Sequence, residues 1–254
     1  MAPACYGRQV PLHFDPLRAI AEHSSGLAMA AEGHLRESVE GCPGWRVADL
    51  VRHVTEVHWF WATIVEELLQ EPPPESRRPA PAPDGQLLEV FRAGADRLVK
   101  ALAAADQDAR CWTWAPAQRD VAFVVRHQVQ EAAVHHWDAA RAAGIEASID
   151  PQAAADAVDE FLTFSVSSER DPADPPRPAL GGRLVLSCSD WQAAWTVQDG
   201  AAPGTLVHLR GAQAGAPVLS ARAADLLLWL YRRVELPVPD QGLASRLRDL
   251  CFTD

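Results

Sequence analysis

The sequence predicts an α+β protein: an N-terminal four-helix bundle followed by a small α+β domain with an antiparallel sheet. Two observations support this fold class. The first 145 residues contain four long segments of some twenty residues with apolar stripes, which is typical of bundle helices. After Asp150 short strand-like runs appear, separated by Gly or Asp-Gly turns. We expect the bundle to occupy residues 10–148 and the α+β domain to occupy residues 149–254.

The bundle helices are bounded by recognisable start and stop signals. Their predicted ranges are about 16–39, 47–70, 85–105 and 120–144. Asp15 is a suitable N-cap for the first helix, with Pro16 at its first position. Gly144 is a suitable residue just beyond the end of the fourth helix. The connection 71–84 is rich in Pro and charge, which predicts an exposed loop.

The second half of the chain reads as a different architecture. A helix over about residues 151–168 precedes a proline-rich loop at 171–178. Four strands are then predicted, over residues 183–188, 193–198, 205–210 and 217–220. An apolar helix at about 221–233 and a short one at 242–250 follow, and we expect the helices on one side of the sheet.

Composition excludes several classes of partner. The chain has 254 residues, 48% of them hydrophobic, which is enough for a packed core. Its net charge of −11 argues against nucleic acid and against an anionic membrane surface. No apolar run is long enough to span a bilayer, and no secretory signal is apparent at the N-terminus. The five scattered cysteines indicate reduced thiols, so we expect a cytoplasmic protein. We also expect a monomer or weak homo-oligomer.

Glu131 and His135 are the most informative residues, because they lie four positions apart on the fourth predicted helix. This spacing places both side chains on one helix face, where they could hold a metal ion. His53 on the second helix is the best candidate for a third ligand. A His/Glu/His set leaves coordination positions open, as a catalytic zinc site requires. The alternatives are a solvated helix face for the pair and core packing for His53.

Neighbouring polar residues on the fourth helix have two interpretations each. His127 lies four residues before Glu131 and is either a fourth ligand or a polar neighbour at the rim. Asp138 either accepts a hydrogen bond from His135 and orients it, or forms a helix-face ion pair with Arg141. Cys42 fits a tight turn leading into the second helix better than it fits a catalytic nucleophile.

Two motifs resemble one known family. Residues 41–54, with Val57-His58-Trp59 after them, resemble the start of the second helix in mycothiol-dependent maleylpyruvate isomerase-like proteins. Residues 130–139 resemble the fourth helix of the same family, although His136 stands where Arg is common. This family is a branch of the DinB-like four-helix-bundle superfamily. Residues 221–230 are similar to a helix of its small C-terminal α+β domain.

The resemblance implies a site and a chemistry. His53, Glu131 and His135 match the family's metal ligands, and the metal is usually zinc. The implied enzyme uses mycothiol as a thiol cosubstrate, which adds to an electrophilic small molecule and gives either cis–trans isomerisation or thiol S-transfer. Such an electrophile carries carboxylate or carbonyl groups, so we expect Arg126 and Arg222 to help bind it. The C-terminal domain is expected to complete the pocket.

Two further functions stay open at this point. The protein could be a non-catalytic ligand-binding module with a structural metal, which a fourth protein ligand such as His127 would favour. It could also be a zinc-dependent hydrolase, which needs a general base near the metal, with Asp138 or His127 as candidates.

Overall fold

The computed structural model describes residues 14–166, 177–202 and 204–253. Within these residues the helices are α1 (Pro16–Ala31), α2 (Val47–Glu67), α3 (Leu87–Ala104), α4 (Val121–Ala142), α5 (Pro151–Phe164), α6 (Ala223–Leu230) and α7 (Gln241–Leu250). The strands are β1 (Arg183–Cys188), β2 (Ala194–Asp199), β3 (Leu206–Arg210) and β4 (Val218–Ala221). No helix in these ranges is both long and apolar enough to cross a membrane.

The four helices α1–α4 form the bundle, in which α1 packs mainly on α4 and α2 on α3. The side chains of Asp15 and Asp120 cap α1 and α4 by accepting hydrogen bonds from backbone N–H groups. α1 is shorter than the sequence suggested. It ends at Ala31 because Glu32 is extended and Gly33 has a positive φ of 78°, and turns occupy much of the stretch up to residue 39.

The α+β fold class is confirmed, but the sheet is mixed, not wholly antiparallel. Its strand order is β3-β2-β1-β4, and β4 pairs in parallel with β1 while the other neighbours are antiparallel. The connection 211–217 is the physical reason, because it carries the chain from the β3 edge to the opposite edge. Thr196 anchors this connection by donating to Gly211 O at 2.8 Å and accepting from Gln213 N at 3.0 Å.

α5 and α6 pack against each other, and the core beneath them includes the buried side chains of Phe161, Trp195 and Trp229. α5 ends at Phe164, and residues 167–168 of its expected range lie outside the described residues, as does most of the expected loop at 171–178. α6 is also shorter than expected, because the chain turns away after Leu230 and Arg232 has a φ of 60°.

An ionic cluster around the buried carboxylate of Asp159 joins the bundle to the second half of the chain. Asp159 on α5 accepts hydrogen bonds from Arg126 on α4 at 2.9 Å and from Arg210 on β3 at 2.7 Å. Trp195 Nε1 on β2 donates to the same carboxylate at 2.8 Å. Burial alone would raise the pKa of Asp159, but these partners outweigh it and lower the pKa to about 2. A domain boundary at residues 148 and 149 stays a prediction.

Candidate metal centre and adjoining cavity

Two bundle helices bring three potential ligands together. His53 on α2 places Nε2 3.3 Å from Glu131 Oε1, and His135 Nε2 lies 3.4 Å from the same oxygen. One ligand atom from each of the three residues lies within 4.8 Å of the others, so a single ion could contact all three. The i, i+4 spacing on α4 therefore has the geometric result expected from the sequence.

The charges at this cluster are strongly coupled. Burial alone would raise the pKa of Glu131, but His135 and His53 outweigh it and hold the pKa well below its usual value. Burial likewise would lower the pKa of His135, yet Glu131 and Asp138 raise it to about 9. Two imidazoles on one ionised carboxylate make a site with high affinity for a positive charge, which is a proton or a metal ion.

Asp138 is held between the cluster and the C-terminal half of the chain. Its Oδ2 lies 3.2 Å from His135 Nδ1, and Arg233 Nη2 donates to the same oxygen at 2.9 Å. Both side chains are buried, with 0% of the Asp138 side chain and 5% of the Arg233 side chain exposed. Asp138 therefore contacts His135, whereas Arg141 pairs with Glu40 at 2.8 Å.

Sequence reasoning did not identify Arg233. It follows α6, 95 residues from Asp138 along the chain, so no helical or strand spacing connects the two residues. A weak signal was present, because a carboxylate on the inner face of a bundle helix requires a cationic partner. Nothing in the sequence indicated which of the many arginines that partner would be.

The turn before α2 packs tightly on this ion pair. Cys42 Sγ accepts a hydrogen bond from Arg233 Nη2 at 3.3 Å, and burial raises the pKa of the thiol to about 11. A thiol with that pKa is a poor nucleophile at neutral pH. A Cβ atom added to Gly41 would lie 2.6 Å from Asp138 Oδ1 and 2.7 Å from Arg233 Nε.

Cys42, His135 and Asp138 form a second set whose ligand atoms also lie within 4.8 Å of one another. The guanidinium of Arg233 contacts both Cys42 and Asp138 in that set. An ion placed there would face a buried positive charge. The set of His53, Glu131 and His135 is therefore the better candidate for a metal centre.

A cavity of about 350 Å³ opens beside Glu131 and His135. α4 supplies one wall, with His127 and Gln130 beyond the two candidate ligands. The other side comes from the C-terminal half, through Tyr231, Arg233, Phe252 and Thr253. The second half of the chain therefore completes the cavity, as expected from the sequence.

His127 lies in this cavity wall and outside both ligand sets found among the described residues. Its Nδ1 is 3.2 Å from Glu160 Oε1 on α5 and 3.1 Å from Gln130 Nε2. The imidazole stacks on Phe123 at 14° and meets the Trp61 and Trp114 rings at steep angles. The sequence suggested either a fourth metal ligand or a polar neighbour at the rim, and neither interpretation included this contact with a buried carboxylate.

The two arginines expected to bind substrate lie elsewhere. Arg126 pairs with Asp156 and Asp159 at the contact between α4 and α5, and does not line the cavity. Arg222 is exposed before α6, where its Nε is 3.5 Å from Asp190 Oδ2, and it borders a separate groove with Arg141. His136 also faces away, with Nδ1 3.1 Å from His23 Nδ1 on α1.

The fold and the cluster together define a class: a four-helix bundle with a candidate His/Glu/His metal centre and a cavity closed by an α+β segment. Residues 17–140 match the family model described as the mycothiol maleylpyruvate isomerase N-terminal domain. This N-terminal region belongs to the mycothiol-dependent maleylpyruvate isomerase-like family, as its motifs predicted.

A solved structure shares the fold over almost the whole chain. The crystal structure of the mycothiol-dependent maleylpyruvate isomerase superposes with a TM-score of 0.56 at 16% sequence identity. The alignment covers 91% of this chain and 97% of that one. At this identity the similarity establishes a shared fold. No curated protein matches the chain in sequence.

Proposed function

We propose that this protein is a zinc-dependent enzyme that activates a low-molecular-weight thiol, mycothiol, for addition to an electrophilic small molecule. The observation that carries the proposal is the cluster of His53, Glu131 and His135 beside a cavity. Addition followed by loss of the thiol gives cis–trans isomerisation, and retention of the adduct gives S-transfer. Membership of the family supports the enzyme class and the thiol.

The residues of the cluster suit zinc. Two imidazole nitrogens and a carboxylate oxygen are ligands that Zn²⁺ takes in catalytic sites, with a position left for a substrate. A zinc ion held there would lower the pKa of a bound thiol and so supply a thiolate at neutral pH. Asp138, through its contact with His135 Nδ1, would fix the orientation of that imidazole.

The lining of the cavity supports a role for one further residue. Arg233 lines it directly, so we propose Arg233 for the electrophile-binding role expected of Arg126 and Arg222. Its guanidinium is held in place by Asp138 and by the Tyr231 carbonyl, to which Nη1 donates at 2.9 Å. A preorganised donor of this kind stabilises negative charge that develops on a carbonyl oxygen during addition.

The open ligand set favours this proposal over a structural metal. A structural zinc normally has four protein ligands, whereas the described residues contribute three to the cluster, and His127 binds Glu160 instead. The hydrolase alternative has less support, because the family match does not imply it and because Asp138, one of its two candidate general bases, is engaged by Arg233.

Metal analysis combined with a thiol-linked assay tests the proposal. We expect one zinc per chain in the wild type and mycothiol-dependent consumption of activated alkenes. The substitution His135→Ala should abolish both, while Glu37→Gln, which changes an exposed carboxylate, should change neither. Zinc without thiol dependence would contradict the enzymatic part, and absence of metal after reconstitution would contradict the whole proposal.

A further inference from the structure

The two candidate ligand imidazoles are supported in different ways. His135 has only 9% of its side chain exposed, and its Nδ1 lies 3.2 Å from Asp138 Oδ2. His53 directs Nε2 at Glu131, and 32% of its side chain is exposed. Among the described residues no group forms a hydrogen bond with His53 Nδ1. His53 therefore lacks the polar partner that usually orients a metal-binding imidazole.

An aromatic ring packs on His53, the imidazole that lacks such a partner. The indole of Trp45 contacts this imidazole, with 5.2 Å between the ring centroids and an angle of 60° between the ring planes. His135 also meets His53, at 5.2 Å and 79°. Tilted and edge-on aromatic pairs at this spacing attract each other, and a packed ring restricts the rotation of its neighbour. The orientation of His53 is therefore limited by packing and not by a charged partner on Nδ1.

The backbone of Trp45 is fixed by hydrogen bonds within the turn that precedes α2. Trp45 N donates to Cys42 O at 2.9 Å, and Val39 N donates to Trp45 O at 3.0 Å. The helix begins two residues later, at Val47. The indole is therefore attached to a well-anchored part of the chain, directly before the helix that carries His53.

The same turn also reaches the support of the other imidazole. Cys42 Sγ accepts a hydrogen bond from Arg233, whose guanidinium holds the Asp138 carboxylate. That carboxylate in turn contacts His135. One turn thus acts on both candidate ligands, on His135 through an ion pair and on His53 through a ring contact.

Resting on the proposed function, which includes a zinc ion at this cluster, we propose that Trp45 is a positioning residue for the metal centre. Its indole holds the His53 imidazole in the orientation that binds the ion, as Asp138 does for His135. An imidazole that is held in place before binding loses less conformational entropy when it coordinates a metal. His53 has the largest exposed side-chain fraction of the three candidate ligands, so it is the first to detach when the ion leaves.

The rate of zinc release tests this inference. The zinc-loaded full chain would be mixed with excess EDTA, and the zinc still bound to protein would be measured at intervals after desalting. Trp45→Leu, which removes the ring and keeps an apolar side chain, should release zinc about 10-fold faster than the wild type, as for loss of an outer partner of a ligand. Trp45→Phe retains an aromatic ring and should release zinc at close to the wild-type rate.

A spectroscopic measurement reports the ligand geometry directly. The visible absorption bands of cobalt-loaded protein depend on how the ligands are arranged around the ion. We expect these bands to change in Trp45→Leu and to be preserved in Trp45→Phe. Unchanged bands in Trp45→Leu would overturn the inference.

The variant Val65→Ala separates positioning from a general loss of stability. Val65 is buried in the core twelve residues after His53 on α2, about 18 Å along the helix axis. Its truncation should lower the urea midpoint and leave zinc release and the cobalt bands unchanged. An unchanged rate of release in Trp45→Leu, or an equal acceleration in Val65→Ala, would overturn the inference.

The failure of the proposed function is distinguishable in the same preparations. A wild type that binds zinc and shows no thiol-dependent turnover would overturn the enzymatic proposal, and the release rates would still decide the role of Trp45. A wild type that binds no zinc would overturn both.

Discussion

Helix α4 carries two histidine–carboxylate pairs that differ in how the carboxylate is held. At its C-terminal end His135 meets Asp138, whose charge is bound by Arg233. At its N-terminal end His127 meets Glu160, whose Oε2 has no hydrogen-bond partner among the described residues. Both carboxylates are fully buried.

The comparison shows two ways in which one helix holds a buried histidine next to a carboxylate. Arg233 and His135 lower the pKa of Asp138, so this carboxylate stays ionised and accepts the hydrogen bond that orients the candidate ligand imidazole. No arginine contacts Glu160 among the described residues, so this carboxylate meets an imidazole and not a guanidinium. The partner of the carboxylate therefore distinguishes the two histidines.

The largest effect is expected from removing the arginine. Arg233→Met would leave Asp138 buried without its cation and should lower the free energy of unfolding by about 3–5 kcal/mol. Zinc affinity should fall about 10–100-fold through loss of the His135 orientation. Urea unfolding and zinc titration measure the two effects. In the double variant Asp138→Asn/Arg233→Met much of the lost stability should return, and additive losses would contradict the pairing.

His58 is a third buried histidine, and among the described residues no carboxylate forms a hydrogen bond with it. Its Nδ1 has no hydrogen-bond partner in the described part of the chain, and burial lowers its pKa from 6.5 to about 4. Between pH 4 and 6.5 the unfolded state therefore binds more protons at His58 than the folded state does. The contribution of His58 to stability is fully present above pH 6.5 and is lost as the pH falls towards 4.

The size of this pH effect follows from the shift in pKa. At 1.36 kcal/mol per pKa unit, His58 should change the free energy of unfolding by about 3 kcal/mol between pH 4 and 6.5. Chemical unfolding at several pH values should therefore show a flatter profile for His58→Leu than for the wild type. An unchanged slope would mean that His58 is not neutral in the folded protein.

The smallest effect on stability is expected at the pair of His127 and Glu160. Glu160→Gln keeps the shape of the side chain and a hydrogen-bonding group next to His127, so it should cost about 1 kcal/mol. Thermal and urea unfolding of this variant beside Asp138→Asn would measure the difference. A loss for Glu160→Gln as large as that for Asp138→Asn would remove the distinction between the two carboxylates.

The sequence predicted features that depend on short separations. Glu131, His135 and Asp138 lie within eight residues of one helix, and helical periodicity fixes their relative directions. The bundle and the strands followed from apolar patterns and turn residues in the same way. For His53, periodicity alone could not distinguish a metal ligand from a core histidine. The family motifs favoured the metal ligand.

Features that depend on distant segments were not predictable. Glu160 is 33 residues from His127 and Arg233 is 95 from Asp138, and both contacts arise only when the second half of the chain packs on α4. The parallel pairing of β4 has the same origin, because the path of the connection 211–217 decides the strand direction. Arg126 was predicted to bind the substrate because its actual partners, Asp156 and Asp159, lie about thirty residues away and were not recognised from the sequence.

The glycine at position 41 couples three positions that are distant in the sequence. A side chain there would meet both the Asp138 carboxylate and the Arg233 guanidinium, so a larger residue at 41 is incompatible with this ion pair. Homologous chains should therefore keep the glycine, the aspartate and the arginine together, and a lineage would become free to replace the glycine only after losing both partners. Gly41→Ala should accordingly be harmful in the wild type and less harmful when Asp138 and Arg233 are both replaced by Ala.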